Sequence, residues 1–537
     1  MKPSAPRKAP SFLSGVSLLT LSALTVKVIG LCYRIPLLGY LGTEGMGYFN
    51  TAYELYALFC VISTAGLPVA MSVLISAAEA EGRRGDARGI FRVSLLLFAG
   101  IGLVGTGLLW GLSSPLAALL GSPLSAVCMR AISPTLFLIC LSSAFRGYFQ
   151  GQRNMLPTAL SQVIEAGGKL FLGLAFAACA YRMGKDLPTC AAYAVLGLTA
   201  GTAISLLYLF LHQRMAGQGE SLLPSVTKSP VLRPLLATAI PVTVSAGMIS
   251  LTKCVDLALI LRRLQTVGYT AAEANALYGC YSTLAVPVFN ILPSLTTSVA
   301  LSAVPALSAA FRKGEAGREE LGKTARASFE LTMAFSIPAA LGLAVFAKDI
   351  LSLLFSGQSE AVAQAAPWLS CLGLSVPAAC LITVTGSMLQ AAGMANRSMI
   401  SMLAGVVVKT GLAFILLGQE GWGMAGAPVS SLACDTVIVA VNLFFIARHA
   451  PAMLPRPLDG MRLVCVPAAL AVGAVSLTKL LRRMGGWEEI APWHTVAAIA
   501  CVACLYGAGI LLRFAPAYIS KQKKKDLQYD QVNQRSP

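Results

Sequence analysis

Five basic side chains stand inside long apolar runs of this 537-residue chain: Lys27, Arg34, Lys169, Lys253 and Lys409. A lysine near the centre of a bilayer costs about 2.5–3.5 kcal/mol even on a lenient scale, so four of them cost about 10 kcal/mol. That rivals the net stability of a domain. Cations held at such cost are expected to face a shared wet cavity rather than acyl chains. What they would bind there is an anion, with phosphate or diphosphate the natural guess. The acids in the same runs are fewer: Glu54, Glu165, Asp256 and Asp435. Glu165 stands four residues before Lys169, and Asp256 three after Lys253, so each pair can meet along its own helix. Mutual neutralisation inside packed helices is therefore the competing reading for those pairs. Lys27 and Arg34, seven residues apart on one helix face, have no acid three or four positions away. The acids are also the candidates for binding a coupling ion, either a monovalent cation or a proton.

Other chemistries find little support. Gly167-Gly168-Lys169 lacks the upstream glycine of a phosphate-binding loop and sits in an apolar run. His212, His449 and His494 fall near the ends of such runs and suggest neither a metal site nor a catalytic group. Cys501 and Cys504 form a CxxC with no second pair and no histidine nearby. No metal, cofactor or nucleotide is expected, and the chain reads as a transporter rather than an enzyme.

The elements that must carry these groups are membrane spans. Hydrophobic residues make up 56% of the chain, charged residues only 12%, and mean hydropathy is +0.72. An ordinary soluble domain is roughly 25% charged. One span needs about 20 apolar residues, and fourteen runs qualify, near 12–33, 47–75, 90–112, 125–147, 157–180, 189–211, 233–256, 276–305, 327–347, 362–389, 397–417, 424–447, 460–480 and 493–515. The net charge of +18 would suggest nucleic acid in a soluble protein. Here it reads as topology. With the N-terminus in the cytoplasm, 27 Lys and Arg fall in inside connections and 8 in outside ones. That bias predicts both termini inside. Pro68, Pro287, Pro293 and Pro377 interrupt spans two, eight and ten and are candidates for hinges or packing kinks.

The first six spans resemble the next six. Ser76-Ala77-Ala78 with Gly82 recurs as Ser308-Ala309-Ala310 with Gly314, at an offset of 232. Gln150, Ser161 and Lys169 recur as Gln390, Ser401 and Lys409 at 240, and Lys27 recurs as Lys253 at 226. Six is even, so both copies enter from the same side as parallel repeats, which typically rock about a site at their interface. The expected architecture is all-α, with about fourteen transmembrane helices. It comprises a cytoplasmic tail 1–11, an N-lobe 12–213, a linker 214–232, a C-lobe 233–449, two further spans in 450–515, and a basic tail 516–537.

These residues also carry a likeness. Lys27-Val28-Ile29-Gly30, Arg34 and Leu41-Gly42-Thr43-Glu44-Gly45-Met46-Gly47 resemble the multidrug/oligosaccharidyl-lipid/polysaccharide exporter superfamily. Phe145-Arg146-Gly147-Tyr148-Phe149-Gln150-Gly151-Gln152, followed by Pro157-Thr158-Ala159 and Ser161-Gln162-Val163-Ile164-Glu165, looks like its polysaccharide-transport branch. Within that branch the chain is similar to the stage V sporulation protein B group and its lipid II flippase relatives. The likeness runs over roughly 12–515, with Arg146, Gly147, Gln150 and Gly151 as its most specific motif. It implies two six-helix lobes, two extra helices and alternating access. It also implies movement of an undecaprenyl-diphosphate-linked saccharide, such as lipid II or a spore-cortex precursor, across a bacterial cytoplasmic membrane. Lys27 stands where those flippases carry one essential cation, and Arg34 within about a residue of another. One departure stands out: the eighth span, from Ala276 to Pro305, has no charge where the flippases have a basic residue.

The expected cavity is therefore cationic, formed by Lys27, Arg34, Lys169, Lys253 and Lys409. Expected partners are the lipid-linked saccharide and membrane lipids, with cell-wall synthases possible, no nucleic acid, and a monomeric state. Two alternatives stay open. A cation-coupled drug exporter of the same superfamily would favour an acid-lined pocket. A glycosyl polymerase would be expected to show a large outer loop with catalytic carboxylates, which the sequence lacks, and a scaffold for cell-wall synthases would leave the intramembrane lysines unexplained.

Overall fold

The computed structural model describes residues 12–216, 232–419, 421–455, 457–484, 497 and 500–507. The tails 1–11 and 516–537, most of the linker 214–232 and most of the fourteenth span lie outside the described residues. The described residues form helices and turns without a strand. In hydrocarbon each helix satisfies its own backbone hydrogen bonds, which an open strand edge cannot do.

Helix α1 runs Phe12–Thr64, 53 residues with a non-helical break at Gly42 (φ 62°, ψ −177°). An unbroken helix of that length would measure about 80 Å, far more than a bilayer core. Gly42 therefore divides it into the first span and the upper part of the second. The second span breaks again before α2 (Leu67–Ala80), which Pro68 opens. The freed Gly66 N–H there donates to the Thr243 hydroxyl at 3.1 Å. Then follow α3 (Arg84–Gly111), the short α4 (Ser113–Leu119), α5 (Ala126–Gly151), α6 (Leu156–Arg182), α7 (Leu187–Ala216) and α8 (Leu232–Thr266). The eighth span is α9 (Ala271–Cys280), a π-turn (Tyr281–Ala285) and α10 (Val286–Arg312) in sequence. After these come α11 (Arg318–Leu354), α12 (Ser359–Ala391), α13 (Ala395–Leu416), α14 (Gly426–His449) and α15 (Pro457–Met484).

Eleven described segments are long and apolar enough to cross a membrane, and the first, Leu21–Ala80, is long enough for two passes. With α8 and residues 500–507, this is consistent with fourteen. Every one of the first thirteen apolar runs coincides with a helix.

The backbone carries the repeat as well. Left-handed residues recur at the offsets that the sequence matches define: Gly42 with Gly268 at 226, Gly82 with Gly314 at 232, and Arg153 with Gly393 at 240. The same turns close the same helices in both copies.

Two compact units emerge. The first comprises the chain up to Pro287 together with Val406–Ser430; the second comprises Val288–Gly405 with the chain from Ser431 onward. A core in the first unit gathers Met71, Ile75, Phe98, Phe145 and Phe149 from α2, α3 and α5, all under 6% exposed. In the second, one core gathers Leu307, Leu321, Met388 and Ile446. Another packs Val502 and Tyr506 on Phe346, Ala471 and Val475. Tyr506 donates to the Ala334 carbonyl at 2.6 Å.

Candidate functional site

Lys169 projects from α6 into a cage of three rings. Its Nζ lies 4.5 Å from the Tyr53 centroid, 5.1 Å from Tyr33 and 5.7 Å from Phe49. Phe49 and Tyr53, four residues apart on α1, stack nearly parallel at 6° with centroids 6.2 Å apart. Tyr33 is anchored by its hydroxyl, which donates to the Ala194 carbonyl at 3.1 Å. A desolvated cation over aromatic faces is worth about 2 kcal/mol or more. Gly168 lets this happen, because α6 meets α7 there backbone to backbone. A Cβ on Gly168 would stand 2.5 Å from the Gly201 Cα. The glycine pair before Lys169 is thus a close-packing device in a span.

Arg34 lies beside this cage and within electrostatic reach of Glu54, Tyr53 and Tyr278. Its guanidinium donates to the Ser282 carbonyl in the π-turn at 2.6 Å. The side-chain amide of Asn50 donates to the Ser282 and Thr283 hydroxyls at 2.9 and 2.8 Å. A π-turn shifts hydrogen bonds from i→i+4 to i→i+5, which takes carbonyls off the regular ladder. The charge-free eighth span thus receives a cation, lent by the first. Glu54 is half-buried, and no described ion pair includes its carboxylate.

The other acids are corrected by the structure. Glu165 does not pair with Lys169 one turn away. It meets Arg146 of α5 at 2.7 Å, with side chains 12% and 19% exposed. Arg146 also donates to Ser161 and Ser205, and Ser205 donates to the Ser161 carbonyl, so one network ties α5, α6 and α7. Arg146 therefore belongs to the interior of a span rather than to a connection. Its motif partners pack: Cβ atoms on Gly147 or Gly151 would collide with Met71 or Ile75 of α2. Gln150 is half-buried near the end of α5. Likewise, Asp256 pairs with Lys409 of α13 rather than with Lys253 of its own helix. Intrahelical spacing offered one partner; the crossing helix supplied a closer one.

Lys27 is exposed on α1, two turns before Arg34, and Lys253 is exposed on α8. Neighbouring Cys254 donates its thiol to the Glu54 carbonyl at 3.5 Å, which brings α8 to α1. Lys27, Arg34, Lys169, Lys253, Lys409, Glu54, Glu165 and Asp256 all belong to the first unit. Asp435, half-buried on α14, belongs to the second, within electrostatic reach of Cys380. Among the described residues no three His, Cys, Asp or Glu side chains cluster as a metal would require. An apolar groove of about 530 Å³ between α1 and α3, lined by Phe59, Ile62, Leu97, Ile101 and Val104, contains none of the cations.

Sequence reasoning missed the ring cage, Asn50 and the π-turn. The aromatic residues 49, 53 and 56 at helical spacing around Glu54 were the available signal. Nothing local announces the π-turn.

An all-helical set of broken, proline-bearing apolar spans holding cations is the architecture of a transporter of the multidrug/oligosaccharidyl-lipid/polysaccharide superfamily. A solved structure of Lipid II flippase MurJ in an inward closed conformation shares this fold with a TM-score of 0.71 at 14% identity, covering 94% of this chain and 100% of that one. An inward-facing multidrug resistance MATE family transporter gives a TM-score of 0.64 at 18% identity over 83% of this chain and 99% of that one.

Residues 12–311 match the family described as Polysaccharide biosynthesis protein, and residues 281–415 match MatE. The first match spans more than half of the sequence, and the chain belongs to the polysaccharide biosynthesis protein family. It is 27% identical to Stage V sporulation protein B of Bacillus subtilis (strain 168) over 452 residues, 81% of this chain and 83% of that protein. It is 24% identical to Lipid II flippase MurJ of the same organism over 419 residues, 74% of this chain and 76% of that one. It is a multi-pass membrane transporter and not an enzyme.

Proposed function

We propose that the chain is a flippase for an undecaprenyl-diphosphate-linked saccharide, lipid II or a related cell-wall or spore-cortex precursor. It works by alternating access in the bacterial cytoplasmic membrane with both termini inside. The observation that carries this reading is the pair of cations, Arg34 and Lys169, gathered within the spans with Glu54 and Glu165 in electrostatic reach. Glu165 and Asp256 are occupied by Arg146 and Lys409. The cluster is cationic in excess, which suits a diphosphate and disfavours a cationic drug.

In this reading Arg34 and Lys169 hold the diphosphate, with Lys27 and Lys253 guiding it and Lys409 contributing when Asp256 releases it. The polyprenyl tail stays in lipid while the saccharide crosses. Lobes 12–213 and 233–449 rock to expose the site alternately. The membrane potential or a monovalent cation or proton gradient drives the cycle, with Glu54 the acid best placed to take part. The protein acts as a monomer, in contact with membrane lipids and in the neighbourhood of cell-wall synthases.

The test is lipid II accessibility at the outer face of cells depleted of this protein and lacking a redundant flippase. Accessibility should fall, and Arg34→Ala or Lys169→Met should fail to restore it. Full rescue by both variants would remove the proposed site. Unchanged accessibility on depletion would remove the cargo, and cation-driven drug efflux that the same cells lose on depletion would favour the exporter reading.

A further inference from the structure

We infer that Arg34, Asn50 and the π-turn Tyr281–Ala285 form a latch that holds the second and eighth spans together, and that a diphosphate opens it by taking the guanidinium of Arg34 from the Ser282 carbonyl. The inference rests on the proposed function for its ligand, but the latch itself stands on geometry.

Three observations converge. First, the contact lies where the repeat is self-complementary. Asn50 meets Ser282, and Gly47 meets Gly279, each 232 residues apart. That is the offset relating Ser76 to Ser308 and Gly82 to Gly314. When residue i touches its own counterpart, the contact is isologous and sits on the pseudo-two-fold axis.

Second, the crossing is close. A Cβ on Gly279 would overlap the Thr43 carbonyl and the Gly47 backbone, and one on Gly47 would overlap the Asn275 carbonyl. The spans touch through bare backbone. The directional bonds across the contact come from Arg34 and Asn50. The buried Thr51 hydroxyl next to Asn50 finds no hydrogen-bond partner among the described residues.

Third, the acceptor for Arg34 is replaceable. The Ser282 carbonyl is a neutral acceptor for the charged guanidinium, whereas a diphosphate offers charged oxygens that the planar fork can meet bidentately. The π-turn leaves the Ser282 carbonyl available to Arg34 in the absence of anion. When an anion arrives, Arg34 has the better partner, and the crossing loses its bond to Ser282 while the bonds of Asn50 remain. Asn50 and Ser282 are positioning residues; Arg34 is the residue that changes hands.

The experiment is hydrogen exchange of the full chain in nanodiscs, read over residues 43–52 and 275–287. Loss of a hydrogen bond to a charged group should raise exchange there by about tenfold or more. Arg34→Gln should do so, and Asn50→Ala, which loses two neutral bonds, should raise it by about threefold or more; both should leave the α6–α7 contact around Gly168 unchanged, which reports that the variants are folded. In the unaltered protein, undecaprenyl diphosphate and millimolar inorganic diphosphate should raise exchange in the same segments, and undecaprenol should not. Arg34→Gln should show no further response. Unchanged exchange in both variants would overturn the latch. Unchanged exchange with both diphosphates would overturn its release by anion. A response to inorganic diphosphate but none to undecaprenyl diphosphate would support the latch and count against the cargo.

Discussion

The Arg146–Glu165 pair offers the sharpest quantitative test, because a motif residue of the family is assigned here to holding helices together. Both side chains are largely covered, 12% and 19% exposed, and lie 2.7 Å apart. Removing one member of a buried ion pair leaves the other charge uncompensated and costs about 3–5 kcal/mol. At 1.4 kcal/mol per tenfold, Arg146→Met should therefore shift the unfolding equilibrium by about a hundredfold or more. The loss of its bonds to Ser161 and Ser205 adds to this. Glu165→Gln should cost less, since the amide oxygen still accepts from the guanidinium. The double variant Arg146→Met with Glu165→Leu removes both charges and should recover about 2 kcal/mol relative to the sum of the two single removals, because neither charge is then left uncompensated. The assay is reversible unfolding in mixed micelles, with lipid-linked substrate transport measured on the same preparations. If Arg146→Met left unfolding unchanged and abolished transport, or if the double variant were simply additive, Arg146 would be a substrate contact and the reasoning would fail.

Further consequences can be checked in the same system. Lys169→Met should stop transport while leaving the unfolding equilibrium within about 1 kcal/mol, since the desolvation and the nearby Arg34 charge that an apolar side chain avoids offset the cation–ring attraction it loses; Lys169→Arg should retain part of the activity. Asp256→Asn should destabilise by about 3 kcal/mol, and adding Lys409→Met should relieve most of that, as expected for an interhelical pair; absence of coupling would separate the two residues. Gly168→Val should destabilise by at least 3 kcal/mol, above the 1–3 kcal/mol usual for overpacking, because its Cβ faces backbone that cannot give way; normal expression and melting of that variant would refute the close contact with Gly201.

The spans, their repeat and the membrane class were legible in the sequence for a simple reason. Each span must be apolar over about 20 residues whatever its neighbours do, so hydropathy reports it locally. Turn residues recur at fixed offsets because a left-handed backbone restricts which residue can follow each helix. The intramembrane cations were legible too, since their cost is a property of the residue and the solvent. Their partners were not. Glu165 has Lys169 one turn away on its own helix, and Asp256 has Lys253, yet both carboxylates face a cation on another helix. In a low-dielectric interior the energy of a pair depends steeply on distance and desolvation, and those are set by where helices cross. The same holds for the rings around Lys169 and for the π-turn beneath Arg34. Composition placed the charges in the membrane; only the packing of α1, α5, α6, α8, α9 and α13 decided which carboxylate, ring or carbonyl each one meets.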